Sequence, residues 1–172
     1  MRGSLLAMNV DCILDSMNRH DVRYLLIGGM NFMLRHEPIL TFDVDLWIED
    51  TDENRRRCEL ALAELDATWG PTDESWQPVA NFKPGWLDGR GVFCTLSPSG
   101  AIDIFRSVRG LPDWTQCHDR AISSTTKNRT HYLALGDAEM LACQLALSEG
   151  ERKQSRIDAL NASLRKSEVT DD

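Results

Sequence analysis

Apolar residues along this chain keep two rhythms, and the switch between them marks out its elements. Leu6, Val10, Ile13 and Met17 recur at helical spacing, which predicts an amphipathic helix over about residues 4–19. "RYLLIGG" then gives a short buried strand, Tyr24 to Ile27, halted by Gly28-Gly29. "MNFMLRH" reads as a helical turn or two beginning at those glycines and ended by Pro38. A second strand runs from Phe42 to Ile48. Helical period returns over 52–67 through Cys58, Ala61, Leu62 and Leu65, with acidic residues in the first turn, where the helix dipole favours them.

From Gly70 to Arg90 no period is sustained. Gly, Pro, Asp and two tryptophans predict a long ordered loop, with Trp76 and Trp86 pinning it to the core and Lys83 within it. "GVFCTLS" and "AIDIFRSV" follow as two strands joined at Pro98-Ser99-Gly100, with Cys94 expected in the core. The remainder reads as helical, with one apolar stripe at Ala138, Leu141 and Leu145 and another at Ile157, Leu160 and Leu164. The fold class this order predicts is α+β: a small mixed β-sheet with packed helices and C-terminal helices. It is expected to be a single domain over residues 1–172, with a core at about 4–110, a C-terminal helical part at about 111–166 and a polar, frayed tail at 167–172.

Charge and cysteine content narrow the function classes. At 172 residues and a net charge of −8, the chain gains little from counterion release, so broad DNA binding is not expected. The five cysteines form no CxxC pair and take no zinc-site spacing with the four histidines, which fits reduced thiols in a cytoplasmic protein. No apolar stretch is long enough for a membrane span, and no signal-peptide core is apparent.

The chemistry lies in "LTFDVDLWIED", residues 40–50. In a strand, Phe42, Val44, Leu46 and Ile48 share one face, and Asp43, Asp45 and Trp47 share the other. Two carboxylates on one strand face repel and raise each other's pKa, a penalty that a divalent cation with a preference for hard oxygen ligands removes. "AIDIF" repeats the pattern and offers Asp103 as a third carboxylate if the two strands are neighbours. Three such groups are the usual means of holding two Mg2+ ions for phosphoryl transfer. Gly28-Gly29, between a strand and a helix, lets backbone amides approach phosphate oxygens. Arg55-Arg56-Arg57 reads as a solvated helix face, Arg106 and Arg109 as either phosphate contacts or surface arginines, and His36 has no partner that sequence identifies.

Gly28-Gly29, thirteen intervening residues, Asp43-Val44-Asp45-Leu46 and the later Asp103 together resemble the nucleotidyltransferase superfamily that shares the DNA polymerase β palm. "IGGMNFMLRHEPILTFDVDLWIE" is similar to its small bacterial members, the minimal nucleotidyltransferases and abortive-infection toxins. The resemblance implies a nucleotidyltransferase fold in which Asp43 and Asp45 hold both metal ions and Asp103 completes the second site. It also implies Gly28 and Gly29 facing the nucleotide phosphates, and Thr41 standing where relatives often have Thr. The implied activity is Mg2+-dependent transfer of a nucleoside monophosphate from an NTP to an acceptor hydroxyl on a small molecule, protein or tRNA end, releasing pyrophosphate. The rival is a regulatory module that keeps this fold and acts through a toxin–antitoxin partner. The chain departs from its relatives at Ile39, where they often carry Arg, and at Gln144 and Lys153, near which toxin-like members carry a Lys and a Lys-Asp pair.

Overall fold

The computed structural model describes residues 8–170. Helix α1 (Val10–Arg19) is capped by Asn9, whose side chain accepts from the Cys12 amide at 3.0 Å. Its predicted start at residues 4–7 lies outside the described residues. Strand β1 (Tyr24–Ile27) runs directly into α2 (Gly28–Arg35), followed by β2 (Asp43–Ile48) and α3 (Asp52–Glu64), which is capped by Thr51. Two-residue strands β3 (Thr68–Trp69) and β4 (Gln77–Pro78) frame the irregular segment. The β5 (Val92–Ser97) and β6 (Gly100–Phe105) hairpin comes next. The chain closes with α4 (Trp114–Asp119), β7 (Ile122–Thr125), β8 (His131–Ala134), α5 (Asp137–Leu145) and α6 (Gln154–Thr170).

Among the described residues the strands form one eight-stranded mixed sheet, ordered β4-β3-β5-β6-β2-β1-β8-β7, so the fold is α+β. β2 pairs parallel with β6 and β1 parallel with β8, while the other neighbours are antiparallel. The sheet divides two apolar clusters. Leu26, Val44, Leu46, Ile48, Ile102 and Ile104 pack with Leu14 and Leu62 on the α1–α3 side. Leu25, Ile27 and Trp47 pack with Phe32, Trp114, Met140 and Leu160 on the other. Among the described residues no helix is long and apolar enough to cross a membrane.

The region after residue 110 is not purely helical. The β7–β8 hairpin adds two strands beside β1, because "HYLA" buries Tyr132 and Ala134 in the first cluster. On α5 the buried positions are Glu139 and Met140, whereas Ala138 and Leu145 are exposed. Helix α6 continues to Thr170, so the tail predicted to fray from 167 is helical that far.

Other departures are local. Phe42 precedes β2 and is 70 % exposed, while Trp47, on the face opposite the α1–α3 cluster, is buried beneath α4. Arg55 is buried, bonded to Asp50 (2.5 Å), Asp52 and Asp88 (2.6 Å), so the arginine run is only partly a solvated face. Trp86 pins the long loop by packing on Trp69, Phe82 and Phe93, but Trp76 is exposed. His36 does have a partner. With Arg35 and Ser163 it bonds Asp137, joining the end of α2 to α5 and α6. Burial opposes the Asp137 charge, yet the bonds from His36, Arg35 and Ser163 hold its carboxyl below the usual range.

Buried Glu59 fastens the loop from below, accepting from the Gly85 amide (3.0 and 3.1 Å) and the Leu87 amide (3.0 Å). Glu59→Ala would leave both amides unpaired. A loss of about 3 kcal/mol in urea unfolding is expected, with faster proteolysis confined to residues 70–90. Unchanged stability and cleavage would show that the aromatic cluster alone holds the loop.

Candidate active site

The three predicted carboxylates come together because of strand register. Parallel pairing of β2 with β6 sets Asp45 directly opposite Asp103 and Asp43 opposite Ala101, all on one sheet face. Burial of Val44, Leu46, Ile102 and Ile104 on the other face fixes that register, since a one-residue slip would turn every acid into the core. One carboxylate oxygen from each of Asp43, Asp45 and Asp103 lies within 4.8 Å of the other two.

Burial first, then the charges of Asp43 and Asp103, push the Asp45 carboxyl up to about 7. Burial, followed by the charge of Asp43, pushes Asp103 up to about 6. Asp45 Oδ1 is buried without a hydrogen-bond partner. A buried, unpartnered carboxylate oxygen amid like charges is costly. An all-oxygen donor set of this charge suits a hard divalent cation, and Asp43, Asp45 and Asp103 are the residues that would hold one.

Gly28 and Gly29 abut this cluster. Gly28 has φ +69°, and a Cβ there would collide with Asp45 Oδ2, so glycine is required by both backbone and space. At Gly29 a Cβ would lie 3.1 Å from Thr41 Oγ1 and 3.3 Å from Arg156 Nη2. Thr41 Oγ1 donates weakly to the Asp43 carbonyl at 3.4 Å, which places it at the entry to β2. Unlike α1, α3 and α4, α2 has no side-chain cap at its N-terminus, so among the described residues no side chain satisfies its first amides, which begin at the glycines beside the triad.

One residue escaped the sequence reading and another was assigned to the wrong face. Arg156, in the first turn of α6, offsets only part of the upward shift at Asp45, lies over the Phe32 ring at 5.9 Å and forms no ion pair among the described residues. With Gly28, Leu135, Met140, Cys143, Gln144 and Leu160 it lines a cavity of about 40 Å³. Gln144 accepts from the Lys153 amide at 2.8 Å and so anchors the start of α6 that carries Arg156. Cys94, expected in the core, is instead exposed, since antiparallel register puts it opposite Asp103 on the acidic face. Arg106 is occupied by Asp50 at 2.8 Å, and Arg109 and Lys83 are exposed.

No family model matches the chain, and no curated protein matches its sequence. Among solved structures it is similar to a Thermotoga maritima protein provisionally assigned as a nucleotidyltransferase. The two share 14 % identity over 95 % of this chain and 91 % of that one, with a TM-score of 0.48. The chemistry drawn from the site rests on its own geometry.

In the unfolded chain Asp45 and Asp103 ionise near 3.9. The folded metal-free chain therefore binds more protons between about pH 4 and 7, and its stability falls as pH rises through that window. Urea unfolding from pH 4 to 8 should show this decline, and Asp45→Asn should flatten it. At pH 8, Mg2+ at about 100 times its Kd should add ~2.7 kcal/mol. A flat pH profile with no response to Mg2+ or Mn2+ would rule out the cation site.

Proposed function

We propose that this chain is a Mg2+-dependent nucleotidyltransferase that moves a nucleoside monophosphate from an NTP to an acceptor hydroxyl. The observation that carries the proposal is the triad itself: three carboxylates within 4.8 Å, one with a buried oxygen that no protein group satisfies. Divalent cations bound there would neutralise phosphate charge and acidify a hydroxyl. Fixed core strands, rather than loops, hold Asp43, Asp45 and Asp103 in this arrangement.

The rest of the chemistry falls to the chain's own residues. The free amides at Gly28–Gly29 and the unpaired Arg156 guanidinium give an anion-binding edge on the β1 side of the triad, suited to triphosphate oxygens. Asp103, on β6 between β2 and β5, would take the proton of the attacking hydroxyl. The acceptor oxygen bonds to the α-phosphorus, the bond from that phosphorus to the bridging oxygen breaks, and pyrophosphate leaves toward Arg156.

Incubation with each α-labelled NTP and Mg2+ tests this reading. Asp45→Asn and Asp103→Asn should each reduce transfer at least ~100-fold. Arg156→Ala should raise the NTP KM about tenfold, with partial recovery in Arg156→Lys, which keeps the charge but loses the fork. Absence of Mg2+-dependent NTP binding in the wild type would refute the proposal.

A further inference from the structure

The triad has two unlike flanks. Toward β1 it meets glycine amides and Arg156. Toward β5 it meets, among the described residues, sheet with exposed side chains. Along β5, Phe93 and Thr95 are buried at 1 % exposure, while the alternate residues Val92, Cys94 and Leu96 are exposed, Val92 at 42 % and Leu96 at 53 %. Register places those three on the acidic face, opposite Phe105, Asp103 and Ala101 respectively, and Thr68 of β3 continues the face beyond Leu96. This apolar surface is therefore continuous with Asp103.

We infer that this bare face, centred on Val92, Cys94 and Leu96, is the docking surface for the acceptor, and that the acceptor is a polypeptide segment presenting a Ser, Thr or Tyr hydroxyl. The inference rests on the transferase reading above. Three features select the occupant. First, among the described residues the outward positions Thr68, Val92, Cys94, Leu96 and Ala101 include no cation, beside three carboxylates in a chain of net charge −8, so this face offers a nucleic-acid backbone no cation of its own. Second, small ligands are held by enclosure, whereas Val92, Cys94 and Leu96 stand open to solvent. Third, the surface has polypeptide dimensions. Val92 to Leu96 spans ~13 Å along the strand, and β2 to β3 is three strand spacings, ~14 Å. Apolar residues of the segment would cover Val92 and Leu96 while its hydroxyl reached Asp103.

The test uses the full chain with Mg2+ and α-labelled NTPs. Separate reactions contain a library of Ser-, Thr- and Tyr-bearing peptides with apolar flanks, bulk tRNA, and a panel of sugars and aminoglycosides. Binding of a fluorescent NTP is read in parallel. Label on peptide hydroxyls is expected, and Val92→Asp and Leu96→Asp should each raise the peptide KM about tenfold or more. Leu96→Met should stay near wild type, and NTP affinity and the urea midpoint should be unmoved in all three. Label on tRNA or sugars instead, or an unchanged peptide KM in both Asp variants, overturns the inference while leaving the transferase reading intact. Loss of NTP binding in the wild type removes both.

Discussion

Mutual repulsion among Asp43, Asp45 and Asp103 is the constraint to which the rest of this structure answers. Three acids gathered on one face and partly removed from water oppose folding, so the scaffold must hold them from behind. It does so with Val44, Leu46, Ile102 and Ile104, each fully buried, which give β2 and β6 one register. Crowding shapes the neighbouring chain as well. Gly28 has no side chain because the Asp45 carboxylate fills the space one would need.

A charge gradient across the site follows from the order of strands. The β1 side brings in α2 with free amides at its start and α6 with Arg156, so positive potential lies there. The β5 side adds no compensating cation and is apolar. On the proposed transferase reading, a reactant with one anionic end and one neutral end would lie across the carboxylates in one direction. That orientation would follow from the strand order before any individual contact is made.

The core and the acidic triad were legible in the sequence because both depend on local alternation. Asp43–Ile48 and Gly100–Phe105 declare their faces within a few residues, while Tyr24–Ile27 is apolar on both and reads as a fully buried strand. What stayed hidden depends on distant partners. "ISST" carries too little apolar content to announce a strand, and only pairing with β8 makes it one. Cys94 looked like core because a cysteine in an apolar run usually is, but its face was decided by pairing with Asp103. Arg55 sits in a run of three identical charges, and nothing local separates the buried member from its neighbours. Arg156 starts a helix more than a hundred residues after Gly29, a juxtaposition with no periodic signature. Phe42 illustrates the reverse error, where a correct alternation was extended one residue beyond the strand.

The Asp137 clamp has a mechanical meaning. It bonds Arg35 and His36 at the C-terminal end of α2 and Ser163 on α6, so the helices that present Gly29 and Arg156 are riveted away from the site. Arg156 and Ser163 are seven residues apart, about 10 Å of helix. The two helices thus form the jaws of a caliper, and the gap between amide and guanidinium is gauged by an ion pair that touches neither. The triad carboxylates, held by the β2–β6 register, take no part in that clamp.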